Sequence, residues 1–245
     1  MNSSGRILVF RIGALGDTLL AIPALYAIRR HYGESTHICL LRDDSGAKLV
    51  VPDNLLHPHS CVNSFMAYTA GSGRFLRLIG LYGFMRKVHE GQFDTVIYLA
   101  PSQRSILAVW RDWILFRLCG IRHTVGFFAF PKRHLFPKDT DGRAASVNSE
   151  SDFLLNRLKS AGIKTDALPY GLELTNSERD AARNWLLVHG WVPDRQLVAI
   201  APGSKQLVNH WPIERFSALG RALAALEGCQ LVVIGGPSEY DAGEQ

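Results

Sequence analysis

The sequence predicts an α/β protein built on parallel sheets, on three observations. An apolar strand, a glycine-bearing turn and a helix follow one another at the start, between Arg6 and Arg30. The same order recurs far downstream, where strand 197–201, the turn Pro202-Gly-Ser-Lys and a helix lead to the strand Gln230-Leu-Val-Val-Ile-Gly-Gly. Between them, Asp94-Thr-Val-Ile-Tyr-Leu is a short continuous apolar run, the pattern of a strand buried on both faces. Strands alternating with helices make βαβ units and hence parallel sheets.

The elements follow in order. Strand 6–10 and helix 18–31, with its apolar face through Leu19, Leu20, Leu25 and Ile28, open the first domain. Residues 37–41 form a second strand. Residues 49–51 are ambiguous and lead into a proline and histidine loop. Residues 73–87 read as a basic amphipathic helix. Strand 94–99 ends in Pro101-Ser-Gln-Arg-Ser, a turn at a ligand edge. Residues 104–118 carry Trp110, Trp113 and Phe116 among Arg104, Arg111 and Arg117. Residues 124–128 are a short strand, 131–143 a charged loop, 151–161 a helix. Residues 162–172 hold Pro169 and two glycines without helical period, so they read as the linker. The domains are then 1–165 and 173–245. Thr175-x-x-Glu178 is a capping box that opens a helix to His189. Trp211-Pro212 precedes a helix from about 213 to 226, with the proline in its first turn.

The first turn concentrates the chemistry. Ligands of open α/β sheets bind at the carboxyl ends of strands. Gly13 and Gly16 let backbone approach a ligand closely. The turn ends on one carboxylate, Asp17, and two roles fit it: a helix cap or a catalyst. The spacing is not the G-x-G-x-x-G of a dinucleotide site, and no Gly-Lys-Ser/Thr follows as in a P-loop. In the second unit, Ser204, Lys205 and the N–H groups around Gly203 form a phosphate cradle at a strand end.

Composition narrows the class. Of the 245 residues 47% are hydrophobic, which supports a sizeable core and argues against wholesale disorder. No run of about 18 apolar residues appears, so no transmembrane helix is expected. The N-terminal apolar run is a strand plus a helix rather than a signal peptide, and a cytoplasmic protein is expected. Cys39, Cys61, Cys119 and Cys229 are scattered and read as reduced, mostly buried thiols. Residues 1–145 hold 18 Lys+Arg against 10 Asp+Glu, and the remainder 9 against 12, so the first half is basic. That balance suits an anionic partner. The segments 73–87, with Arg74, Arg77, Arg86 and Lys87, and 104–118 can lie on an anionic membrane surface or be ordinary solvated helices; both readings stay open.

Other constellations carry less. His57-Pro-His59-x-Cys61 offers three metal ligands but no fourth, so no metal is expected. Ser102 and Ser105 lack the G-x-S-x-G elbow of a serine hydrolase. His210 beside Trp211 is a donor contact or an ordinary surface histidine.

Taken together, the segments resemble the bacterial ADP-heptose:lipopolysaccharide heptosyltransferases, glycosyltransferase family 9. That family opens on a strand, R-x-G-x-x-G-D and a leucine-rich helix containing a proline; Arg11, Gly13, Gly16, Asp17 and Pro23 match. It carries P-G-[AS] after the first strand of the second domain, then K-x-W-P-x-x-x-[FW], then a strand ending in G-G. Pro202, Gly203, Ser204, Trp211, Pro212, Phe216 and Gly235-Gly236 match. Two features depart. The family lysine is Asn209 here, with Lys205 nearer the strand end as the substitute charge. Family members also continue past the Gly-Gly strand to a D-S-G-x-x-H motif, so the second domain is expected to be incomplete, with weak donor binding and little turnover.

The resemblance implies a GT-B architecture, two Rossmann-like domains with donor and acceptor in the cleft between them. It implies inverting transfer of a heptose, or a related sugar, from a nucleotide sugar such as ADP-heptose to an anionic lipopolysaccharide-core glycolipid. No cofactor, metal or nucleic acid is implied, and contact with the inner-membrane surface is. Asp17 is the implied base. Gly203, Ser204, Lys205, Asn209 and, after Gly-Gly, Glu239 are the donor-side candidates. Arg11, Gly13, Gly16 and Arg104 are the acceptor-side candidates. Two rivals remain: a non-catalytic nucleotide- or glycan-binding protein on the same fold, and a Rossmann-type oxidoreductase. The missing G-x-G-x-x-G argues against the oxidoreductase, as does Leu40-Leu41-Arg42 where an acid would close the second strand.

Overall fold

The computed structural model describes residues 5–11, 13, 15–43, 56, 61–68, 74–100, 104–128, 149–166, 172, 174–203 and 210–236. The chain divides into two compact units, Met1–Leu172 and Glu173–Gln245.

The first unit is a parallel five-stranded sheet. Its strands are β1 (Arg6–Phe10), β2 (His37–Asp43), β3 (Ser64–Tyr68), β4 (Thr95–Tyr98) and β5 (His123–Val125), in the order β3-β2-β1-β4-β5. Register pairs Leu8 with Cys39 on one side and with Val96 on the other. Successive strand residues point to opposite faces, and both faces here are buried. Ile7, Val9, Ile38, Leu40 and Ile97 pack beneath α2 (Ile22–Tyr32) and α5 (Glu150–Ser160). Leu8, Phe10, Leu41, Val96 and Tyr98 pack beneath α3 (Arg74–Glu90) and α4 (Ile106–Leu118). This two-sided burial is why the strands read as unbroken apolar runs.

Several boundaries differ from the sequence reading. The first helix is two helices, α1 (Leu15–Leu20) and α2, and it begins three residues earlier than expected. Pro23 has no N–H to give Leu19 and its ring crowds that carbonyl, so the ladder breaks. Ala21 N–H closes on Thr18 O at 3.0 Å, and Leu20 O accepts from the Ser151 hydroxyl at 2.7 Å. β2 runs on to Asp43, so an acid does end that strand, and the case against a dinucleotide site rests on the glycine spacing alone. β3 is a strand that the sequence reading lacks; its residues pair with Cys39–Asp43. Residues 49–51 and 131–143 lie outside the described residues, as do His57 and His59, while Cys61 is buried.

The second unit pairs two parallel strands, β6 (Gln196–Ile200) and β7 (Cys229–Val233), with α6 (Asn176–Val188) and α7 (Ile213–Ala224). The expected capping box opens α6: Thr175 Oγ accepts from Glu178 N–H at 3.2 Å, and Glu178 accepts from Thr175 N–H at 2.8 Å. The Gln230 side chain accepts from Val192 N–H and donates to Gly190 O, tying β7 to the end of α6. Pro212 is the N-cap of α7, one position ahead of the first turn. An apolar groove of about 270 Å³ runs between α7 and the strands, past Pro202, Phe216, Gly220 and Leu231.

Candidate active site

The strand order puts the reversal of winding between β1 and β4. The chain leaves β1 toward β2 and β3, then returns through α3 to β4 on the opposite side of β1. The carboxyl ends of these two strands therefore form the crevice where such sheets bind ligands. Arg11, Gly13 and Asp17 follow β1; Leu99, Ala100 and Arg104 follow β4.

Asp17 is the third residue of α1 rather than its cap. Its side chain is 38% exposed, so solvent and ligands reach it. Arg11 Nε donates to the Asp17 carbonyl at 3.1 Å, and Arg11 Nη2 stands 3.5 Å from Asp17 Oδ1. Gly13 lies directly beneath. A Cβ built there would fall 2.7 Å from Asp17 Cβ and 2.8 Å from its Cγ, so only glycine leaves room for the carboxylate. Gly16 faces open space instead.

The sequence expects an acceptor contact at Arg11, but the structure turns this side chain onto the protein itself. It is only 1% exposed, and Nη1 donates to Leu99 O at 2.9 Å and to Glu150 Oε1 at 3.2 Å. Burying a guanidinium is costly unless its charge is paired. Glu150, 19% exposed, and Asp17 supply the pairing. Arg157 is buried beside the same strand end, giving hydrogen bonds to Tyr98 O and Ala100 O and lying over the Phe153 ring. Burial pulls its pKa down to about 10. Gly126, at φ +80, passes so close that a Cβ would meet Tyr98 O at 3.0 Å.

Arg104, the other expected acceptor residue, is fixed by an acid that the sequence reading did not single out. Its Nε and Nη2 donate to Asp112 Oδ2 at 3.0 and 2.6 Å, and its guanidinium lies over the Phe10 ring. The Tyr98 hydroxyl donates to the same oxygen at 2.7 Å, and Arg111 takes Oδ1. Burial and the Asp112 carboxylate together raise the Tyr98 pKa, so its hydroxyl stays a donor. Arg104 keeps 25% of its side chain exposed. Among the described residues no group of three His, Cys, Asp or Glu could hold a metal ion.

On the second unit, Pro202 is buried and Gly203 half-buried at the end of β6. Trp211 is 42% exposed and sets its ring edge-on to Phe216 at 4.9 Å. Ser204, Lys205, Asn209 and Glu239 lie outside the described residues.

Four site residues escaped the sequence reading: Tyr98, Asp112, Glu150 and Arg157. Asp112 carried a signal, being the one acid within 104–118. Glu150 and Arg157 carried none, because their role depends on where α5 lands against the sheet.

The family model described as "Glycosyltransferase family 9 (heptosyltransferase)" matches residues 81–245. No curated protein matches the chain by sequence. A glycosyl transferase family 9 structure from Veillonella parvula DSM 2008 superposes with a TM-score of 0.65 at 21% identity, covering 98% of this chain and 66% of that one. The E. coli ADP-heptose lps heptosyltransferase II gives 0.61 at 15% identity, with 98% and 67% covered. The E. coli heptosyltransferase WaaC, solved with ADP-2-deoxy-2-fluoro heptose, gives 0.58 at 16% identity, with 98% and 72% covered. The chain thus spans about two thirds of the length of the first of these structures. At these identities the likeness establishes the fold, that of GT-B glycosyltransferases. With a family model matched over more than half its length, this chain belongs to glycosyltransferase family 9, the heptosyltransferases.

Proposed function

We propose that the protein transfers a heptose, or a closely related sugar, from an ADP-sugar to an anionic lipopolysaccharide-core glycolipid with inversion. Asp17 takes the proton of the acceptor hydroxyl. The hydroxyl oxygen then forms its bond to the anomeric carbon while the bond to the diphosphate breaks on the opposite side. No covalent intermediate is needed, so one base suffices. The reading is carried by Asp17 itself: a reachable carboxylate at the switch point, held at its backbone and its side chain by the buried Arg11. Arg104, braced by Asp112, reads acceptor phosphate or carboxylate, a task suited to its fork. Gly203, Ser204, Lys205, Asn209 and Glu239 receive the donor, with N–H dipoles and the Lys205 charge stabilising the departing diphosphate. The family membership and the ADP-sugar bound to WaaC support the donor class.

The test is ADP release from ADP-heptose with and without a lipopolysaccharide-core acceptor, alongside calorimetry with ADP. Acceptor-dependent release that disappears in Asp17→Asn supports the reading. ADP binding without any release points to a non-catalytic nucleotide-binding protein. No binding of ADP overturns the donor assignment.

A further inference from the structure

We propose that Glu150 is a positioning residue for the base: by holding Arg11 it keeps that buried cation from closing on Asp17, and so leaves the carboxylate able to take a proton. The role rests on the reading of Asp17 as the base. The cation is shared. Arg11 Nη1 donates to Glu150 Oε1 at 3.2 Å and to Leu99 O at 2.9 Å, whereas Nη2 stands 3.5 Å from Asp17 Oδ1. Nη2 is buried and makes no hydrogen bond among the described residues. A guanidinium N–H beside a carboxylate ordinarily closes such a gap, because a charge-assisted bond is short, about 2.7–2.9 Å, and roughly twice as strong as a neutral one. Here the bonds from Nη1 to Glu150 and Leu99, and from Nε to the Asp17 carbonyl, hold the group back.

The start of α5 aims Glu150 at this point. Ser149 caps the helix by accepting from Asp152 N–H at 3.0 Å, and its hydroxyl donates to Asp152 Oδ2 at 2.8 Å, which occupies the other acid of that turn. The Ser151 hydroxyl donates to Leu20 O at 2.7 Å, fastening the same turn to α1, the helix that carries Asp17. Charge then decides what Glu150 does. Two buried guanidiniums, Arg11 and Arg157, lie at this strand end. Arg157 gives its hydrogen bonds to the Tyr98 and Ala100 carbonyls, so its charge is balanced at longer range, where Tyr98 and Glu150 support it against burial and Arg11. The other charged groups after β4, Arg104 and Asp112, pair with each other. Without the Glu150 charge, Asp17 is the one described carboxylate left to offset Arg11. It would be drawn into the bond that Nη2 now lacks, and a carboxylate bonded in that way accepts a proton less readily.

The experiment is the pH profile of acceptor-dependent ADP release for wild type, Glu150→Gln and Ser151→Ala, with melting temperatures, and with Asp17→Asn as the reference. Ser151→Ala loosens the same helix turn without changing its charge. Glu150→Gln should lower the plateau kcat about three- to tenfold, part of the roughly 10²–10⁴-fold that a base contributes, with the KM for ADP-heptose unchanged. The acid limb of its kcat profile should move to lower pH by about one pH unit, since more positive charge then faces the carboxylate. Ser151→Ala should keep the wild-type profile even where its melting temperature falls as far. An unmoved acid limb in Glu150→Gln, or an equal movement in Ser151→Ala, makes Glu150 a purely structural residue and overturns the proposal, while the base reading still stands on Asp17→Asn. A wild type without acceptor-dependent release, or a fully active Asp17→Asn protein, overturns the base reading itself and removes this role with it.

Discussion

Arg11 holds Asp17 at two points: its Nε bonds the Asp17 carbonyl at 3.1 Å while its Nη2 stands 3.5 Å from the carboxylate. One buried cation thereby bonds the backbone and faces the carboxylate of the residue proposed as base. Because Arg11 also bonds Leu99 O and Glu150, the turn after β1 is locked to the end of β4 and to α5.

Asp17 lies inside α1, so its replacement separates chemistry from folding. Asp17→Asn should lower kcat by about 10²–10⁴-fold, the usual contribution of a general base. The loss of a first-turn carboxylate costs about 0.3–1 kcal/mol through the helix dipole, and the buried Arg11 loses one of its two carboxylate partners in addition, leaving Glu150. ADP affinity should change little. Steady-state rates, calorimetry and melting curves check this, and a fully active Asp17→Asn protein would end the mechanism.

Arg11→Ala removes the cation between two carboxylates and orphans the Leu99 carbonyl. Breaking a buried pair in this way costs about 3–5 kcal/mol. The expected result is a clear drop in the denaturant midpoint of the first unit. Glu150→Gln should fall in the same direction by less, since Glu150 is partly solvated. Urea titrations rank the two.

The two glycines of the first turn should behave differently. Gly13→Ala drives a methyl into the Asp17 side chain and should cost about 1–3 kcal/mol, as overpacking does. Gly16→Ala meets nothing within 4 Å and adds a better helix former inside α1. It should stabilise by up to about 1 kcal/mol. If Gly16→Ala keeps its melting temperature but loses activity, Gly16 is needed for ligand approach rather than for folding.

His37 predicts a pH response. Burial, with Arg6 and Arg29 adding repulsion, lowers its pKa below the ordinary 6.5. Between the folded and unfolded values the unfolded chain binds more protons, so stability rises with pH across that window. Acidifying from pH 7 through the region just below 6.5 should therefore destabilise the first unit. His37→Asn should flatten that slope in melting temperature measured against pH.

Cysteine labelling should be graded by burial. Cys39, Cys61 and Cys119 are buried, and burial pushes the Cys119 thiol up to about 11. Cys229 is half-buried. Iodoacetamide at pH 8 should modify Cys229 first, the other three reacting only after denaturant is added. Mass spectrometry of digests gives the order.

The sequence by itself determined the α/β class, most of the helices and strands, the capping box at Thr175 and the site turn from Arg11 to Asp17. These are local properties: apolar runs, glycine turns and the spacing of a few residues act over short distances along the chain. Tertiary structure decided the rest. A strand such as β3 exists because β2 offers its edge, and Ser64-Phe-Met-Ala-Tyr carries no strong signal alone. Arg11 reads in sequence as a free fork for an anion; only the arrival of Glu150 from 139 positions away, together with Leu99 O, makes it a buried strut. The sequence leaves the facing of Trp110 open; α4 turns it outward because Val109, Asp112 and Phe116 face the sheet. Burial and pairing depend on which distant segments meet, and no local pattern encodes that meeting.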